Sequence, residues 1–311
     1  MKTLISLKHA TATLDEFGVA TLSICEAGSL NILSTPVISD LTDALKHLAQ
    51  VAEVRTLIFR GSSDKAFIAG ANINEMATLT RSSAISFIAR LGDLCEATRM
   101  FPVPVIARIP GWCLGAGLEL AMACDVRVAA LNTQFGMPEV KVGIPSVIHA
   151  ALMPRLIGQA RAAWLLLSGE NINTEQALQW GLIHEAIALT ELDQRILSIA
   201  KNFAALGPAV LKQQKTLLRR WEQLSLPESI ADSVQEFSKA FETGEPQKFM
   251  NEFLEHKRAK NRPVSQAQTK THKTAARPLQ IHCRKTGCFE RPFREQLRAL
   301  SAFAPTRMLW L

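Results

Sequence analysis

The stretch Pro110–Gly143 reads PGWCLGAGLELAMACDVRVAALNTQFGMPEVKVG and sets two carboxylates, Glu119 and Glu139, in otherwise apolar surroundings. A carboxylate among apolar residues is costly unless it is paired or used. Glu119 follows a glycine-rich turn, GAG at Gly115–Gly117, and opens the helix expected over Leu118–Ala123. Glu139 follows Pro138, whose restricted φ holds the FGMPE turn at a set angle. Two such acids flanking a strand at Asp125–Ala130 point to general acid/base work. Upstream, AFIAGANINEM at Ala66–Met76 supplies a second small-residue turn, whose backbone can come close to a ligand.

A glycine-rich turn that feeds a helix presents unpaired N–H groups, and the helix dipole adds partial positive charge there. An oxygen that acquires negative charge in a reaction is stabilised by two such donors, each worth roughly 3–4 kcal/mol. The turns at Ala69–Asn72 and Gly115–Gly117 each offer one. Taken singly, every element has a plain structural reading: a packing turn, a first-turn acid facing a helix dipole, a solvated turn residue. Their ordered combination is what points to chemistry.

Around this stretch, strand and helix alternate. Val19–Cys25 and Val54–Arg60 read as strands, and Ser34–Val51 as an amphipathic helix with Leu41, Leu45 and Leu48 on one face. A helix near Ser83–Thr98, a strand at Val103–Ile109 and a turn over Pro110–Gly117 follow. The alternation implies an α/β fold built with right-handed crossovers. From Met153 the pattern becomes helical, with segments at Ala160–Leu167, Thr174–Trp180, Leu192–Ala205, Pro208–Arg220, Glu228–Phe241 and Glu245–Lys257. These read as a lid or an oligomer interface. We therefore expect a core domain over residues 1–195, a helical or oligomerisation region over 196–263, and an extension over 264–311.

The net charge of +7 belongs to that extension, which carries nine Lys/Arg against two Asp/Glu; the remaining 263 residues hold 26 of each sign. The extension is polar, basic and aperiodic, and reads as disordered or loosely held. Nine cations could bind phosphate non-specifically, but the extension lacks aromatic interleaving of the kind that stacks bases, so nucleic acid is not the expected partner. Cys113 and Cys124 lie in apolar segments and read as small buried thiols. Cys283 and Cys288, beside His282, lack a second ligand pair, and no metal site is expected. No apolar run is long enough to cross a membrane, and MKTLISLKHA has too short an apolar core for a signal peptide, so a reducing cytoplasm is expected.

The motifs resemble those of the crotonase (enoyl-CoA hydratase/isomerase) superfamily. AFIAGANINEM is similar to its AF-x-AGAD-I-x-EM segment, PGWCLGAGLELAMACDVRVA to NGY-x-LGGG-x-ELA-x-ACD, and FGMPEVKVGI to FGQPE-x-x-LG-I. WGLIHEAI and TGEPQKFMNEFLEHKR resemble its later segments, so that the likeness runs from about Leu14 to Lys260. It implies a ClpP-like spiral of ββα units closed by a C-terminal helical region, assembled as homotrimers or hexamers. It also implies an acyl-CoA substrate, with coenzyme A entering as part of that substrate and no separate cofactor.

By the same resemblance the backbone N–H groups of Ala71 and Ala116 polarise the thioester carbonyl. Glu119 activates a water and Glu139 protonates C2, giving an enoyl-CoA hydratase that adds water across a 2,3 double bond. Lys65, Ala69, Asn72, Ile73 and Gly115 complete the expected substrate contacts; for Lys65 a solvated turn lysine is the competing reading. An isomerase, another lyase of the family, or an RNA-binding protein on the same frame are the alternatives. Two departures stand out. Asn72 replaces the usual aspartate, and PSVIHAALMPRL at Pro145–Leu156 replaces the family's PGAGGTQRL run. The bulky Val147, Ile148 and His149 are expected near the acyl pocket and favour shorter acyl groups. His149 is either a third polar group there or a packed helix residue.

Overall fold

Aliphatic runs bounded by turn residues form the strands, and the computed structural model describes residues 1–260, the basic extension with its cysteines lying outside the described residues. An antiparallel hairpin of β1 (Lys2–Ser6) and β2 (Ala10–Leu14) leads to β3 (Val19–Ile24). Helix α1 (Thr35–Leu48) starts with Pro36 in its first turn, where a missing N–H costs nothing. It buries Leu41, Leu45 and Leu48, the face expected from their spacing.

The chain then repeats one pattern three times. A buried strand is followed by a three-residue strand and a helical turn. The first repeat is β4 (Thr56–Arg60), β5 (Ala66–Ile68), α2 (Ile73–Met76) and the long α3 (Arg81–Arg99). The second is β6 (Val105–Ile109), β7 (Trp112–Leu114) and α4 (Ala116–Ala123). The third is β8 (Val126–Ala130), β9 (Gln134–Gly136) and a 3-10 turn at Pro138–Val142. A second 3-10 turn (Ile148–Leu152), α5 (Met153–Ile157), α6 (Gln159–Ser168), β10 (Asn171–Asn173), α7 (Thr174–Gln179) and β11 (Glu185–Ile187) follow.

The first strand of each repeat joins a seven-stranded sheet in the order β1-β2-β3-β4-β6-β8-β11, parallel from β3 onward. The second strand joins a smaller sheet ordered β10-β9-β7-β5, in which β5, β7 and β9 run parallel. This is the expected spiral of ββα units. It corrects one local expectation: Pro110–Gly117 is not a plain turn but contains β7, paired with β5 and β9. Three residues are too few to show a period of two. The β1–β2 hairpin is a second correction: ATATL of β2 alternates, burying Ala10, Ala12 and Leu14.

A helical region of α8 (Leu189–Ala204), α9 (Pro208–Trp221), α10 (Leu226–Ala240) and α11 (Glu245–Lys260) completes the described residues. Asp125, in the ACD motif, fixes α9 to the core. Its carboxylate accepts from the Val105 N–H at 2.8 Å, from Lys215 Nζ at 2.6 Å and from Arg219 at 2.8 Å. Lys215 is only 7% exposed, so removing its counter-charge strands a buried cation. Asp125→Ala is expected to cost about 3 kcal/mol or more, measured as a fall in the denaturant midpoint with an unchanged m-value.

Candidate active site

The repeat brings three segments to one place. The Ala69–Asn72 turn follows β5, the Gly115–Ala116 turn follows β7, and Pro138–Glu139 follow β9. Since β5, β7 and β9 are adjacent and parallel, spaced about 4.8 Å apart, their C-terminal ends present these segments side by side. The packing leaves no room for larger residues: a Cβ on Gly117 would overlap the Ile68 carbonyl, and one on Gly115 would overlap Glu139 Oε1. Gly115 also has φ +52°, which an L side chain rarely adopts.

In the first turn the Ala69 N–H donates to Leu30 O (3.0 Å) and the Asn72 N–H to Leu33 O (2.9 Å). Among the described residues the Ala71 N–H meets no backbone carbonyl. In the second turn the Gly115 N–H donates to Gly136 O (2.9 Å), while that of Ala116, the first residue of α4, is likewise without a backbone acceptor. Asn72 caps α2, its side-chain oxygen accepting from the Glu75 N–H at 3.2 Å. An amide oxygen serves this purpose as an aspartate does, which accounts for the departure at this position. Glu75 in turn accepts from the Thr35 N–H (3.0 Å) and from the Thr35 hydroxyl, tying α2 to the start of α1. Ile73 is 62% exposed beside this turn. Lys65 is exposed too, and its ammonium has no ion-pair partner among the described residues.

Glu119 lies in the first turn of α4 and is only 4% exposed. It thus sits where a first-turn acid would face the helix dipole, but buried from solvent. Its Oε1 accepts from the Ala150 N–H at 2.9 Å. Burial pushes its pKa up to about 8, against the pull of that hydrogen bond and with a further push from the Glu139 charge. Glu139 is half-buried at the start of the 3-10 turn. Burial raises its pKa as well, opposed by its own backbone N–H and by the Ser146 hydroxyl, which donates to Oε2 at 3.0 Å. The Glu139 charge thus adds to burial in holding the proton on Glu119.

The Pro145–Leu156 segment lies against both acids. Val147 is exposed, and His149 Nε2 faces Glu96 Oε2 on α3 at 3.1 Å. The segment's contributions to the site are the Ser146 hydroxyl and the Ala150 N–H, neither of which stands out in the sequence. A serine seven residues after Glu139 carries no local signal, and the Ala150 contact spans 31 residues.

The arrangement is two acids of raised pKa at strand ends that also carry two free backbone donors. The family model for enoyl-CoA hydratase/isomerase matches residues 15–262. The chain belongs to the enoyl-CoA hydratase/isomerase family. It is 32% identical over 242 residues to a crotonyl-CoA hydratase of Syntrophomonas wolfei, covering 78% of this chain and 93% of that one. It is 35% identical over 248 residues to a probable enoyl-CoA hydratase of Bacillus subtilis, covering 79% and 95%. Among solved structures, the enoyl-CoA hydratase of Bacillus anthracis superposes with a TM-score of 0.77 at 27% identity, over 80% of this chain and 96% of that one. The enoyl-CoA hydratase/isomerase fold thus extends over the three repeats and into the helical region.

Proposed function

We propose that this chain is an enoyl-CoA hydratase acting on short 2-enoyl-CoA thioesters. The observation that carries the reading is the placement of buried Glu119 and half-buried Glu139 at the strand ends that carry the free N–H groups of Ala71 and Ala116. The relative named a crotonyl-CoA hydratase supports the substrate class.

In the reaction, the thioester oxygen lies between the Ala71 and Ala116 amides, which stabilise the charge it gains as water attacks C3. Glu119 accepts a proton from that water as the water oxygen bonds to C3. Glu139 delivers a proton to C2 as the enolate collapses, so the net change is one water added across the double bond. Ala69, Asn72, Ile73 and Gly115 shape the turns around the acyl-thioester, and the exposed Lys65 is available to the coenzyme A phosphates. Coenzyme A serves as part of the substrate, and the chemistry calls for no other cofactor and no metal.

The family resemblance implies a homotrimer or hexamer. Exposed Ile230, Val234 and Phe237 form an apolar stripe on α10 that supports self-association. The described cysteines are all free, which suits a reducing compartment such as the cytoplasm, and no helix of the described residues is long and apolar enough to cross a membrane.

The test is loss of enoyl-thioester absorbance with crotonyl-CoA across pH. The working pair must hold one proton, one acid being ionised and the other protonated. The rate kcat/KM is therefore expected to be bell-shaped, with an alkaline limb near the Glu119 value of about 8. Glu139→Gln is expected to lower kcat by about two orders of magnitude or more. A wild-type protein that binds crotonyl-CoA without hydrating it would overturn the assignment.

A further inference from the structure

Glu139 has two carboxylate oxygens in different surroundings. Oε2 accepts the Ser146 hydroxyl at 3.0 Å, whereas Oε1 lies over Gly115, where an added Cβ would overlap it. Gly115 immediately precedes Ala116, whose N–H is free at the head of α4. The oxygen nearer the expected thioester is therefore Oε1, and Ser146 holds the other one.

The segment that supplies Ser146 is itself held in an unusual shape. Ile148, a β-branched residue, has φ +42°, a conformation sparsely populated for such side chains. The resulting bend turns the chain so that Ala150, four residues after Ser146, donates to Glu119. Ile148 is kept in place by packing against the hydrophobic core, with its Cγ2 over Gly92 of α3. One short stretch thus engages both acids, and backbone strain located beside reacting groups commonly marks a functional constraint.

We propose that Ser146 is a positioning residue for Glu139, anchoring Oε2 so that Oε1 is the oxygen that exchanges the proton with C2 of the substrate. The proposal rests on the hydratase reading for its substrate, but not for the hydrogen bond it invokes. A hydroxyl suits the task because it donates to the carboxylate before proton uptake and continues to donate to Oε2 when the proton sits on Oε1. Without it the carboxylate rotates about its terminal torsion, which is broad and roughly two-fold, and the two oxygens become interchangeable. The titratable group facing Glu139 is Glu119 on α4, while Lys141 on the same turn as Glu139 is engaged by Glu170 at 3.1 Å.

The experiment compares wild type, Ser146→Ala, Ser146→Thr and Glu139→Gln with crotonyl-CoA as probe, together with the double variant Ser146→Ala/Glu139→Gln. Ser146→Ala is expected to lower kcat about tenfold with KM changed by less than about twofold, because the hydroxyl acts on the reacting geometry and not on substrate binding. Ser146→Thr, which retains the hydroxyl, should recover most of that loss. In the Glu139→Gln background Ser146→Ala should change the residual rate by less than about twofold, since residues acting through one another are not additive.

A second readout needs no turnover. The carboxylate infrared band absent from Glu139→Gln is expected to titrate at higher pH in Ser146→Ala, because a donor to the ionised form has been removed. Should Ser146→Ala misfold by thermal melting, Ser146→Cys, a weaker donor of similar size, replaces it and should give an intermediate rate. Equal losses in the two backgrounds, or an unchanged kcat with an unshifted Glu139 band, would overturn the positioning role. If wild type fails to hydrate crotonyl-CoA, the hydratase reading falls on its own and the infrared titration alone decides the role of Ser146.

Discussion

Glu119→Gln is expected to abolish hydration and at the same time to make the protein more stable. Glutamine keeps the shape of the side chain but cannot accept the proton of the attacking water, so kcat should fall by about two orders of magnitude or more. The stability gain follows from the burial of Glu119, which raises its pKa from 4.5 to about 8. Between those values the folded protein holds a proton that the unfolded chain has released. This group's contribution to stability therefore declines as pH rises through that window and is lost in full only above about 8. Glutamine has no such dependence.

The advantage of Glu119→Gln should thus be small near pH 4.5, grow up to about pH 8 and then level off. We expect roughly 2 kcal/mol at the plateau, less than the shift alone implies, because the amide also weakens the hydrogen bond from Ala150. Paired urea titrations of wild type and variant at several pH values measure it. A variant less stable than wild type at pH 8 would show that the site does not penalise the ionised acid. Such a gain is the expected sign of a group retained for chemistry at the expense of the fold.

Gly115→Ala should damage activity far beyond its cost in stability. The residue has φ +52° and ψ −123°, so alanine adds backbone strain of about 1–3 kcal/mol. Its Cβ would also overlap Glu139 Oε1. The acid must then move away from the Ala116 turn, and a displacement of about 1 Å in a reacting group can cost about 100-fold in rate. Gly28 provides the control: it has φ +73° with nothing within 4 Å of an added Cβ. Gly28→Ala should therefore carry a similar stability cost while leaving kcat for crotonyl-CoA near wild type. Equal kinetic losses in the two variants would attribute the effect to strain and not to displacement of Glu139.

Much of the site was legible along the chain because its parts are local. Glu119 and Glu139 are conspicuous as isolated acids in apolar sequence, and the GAG and AGAN turns announce backbone that can approach a ligand. Leu41, Leu45 and Leu48 specify a helix face through spacing alone. Strands β5, β7 and β9 are not legible in the sequence, because three residues cannot display a period. They nevertheless decide the geometry, since they carry the two turns and Glu139 to adjacent strand ends.

Residue types and short-range spacing thus determined the family resemblance, the two acids and the two donor turns from the sequence by itself. Only the tertiary structure decided that the three post-strand segments converge, that burial lifts Glu119 to about 8, and that Ser146 and Ala150 serve the two carboxylates. The physical reason is that burial and hydrogen-bond partnership depend on which surfaces the parallel pairing brings together. Those contacts join residues on different elements, and no periodicity within a single element records them.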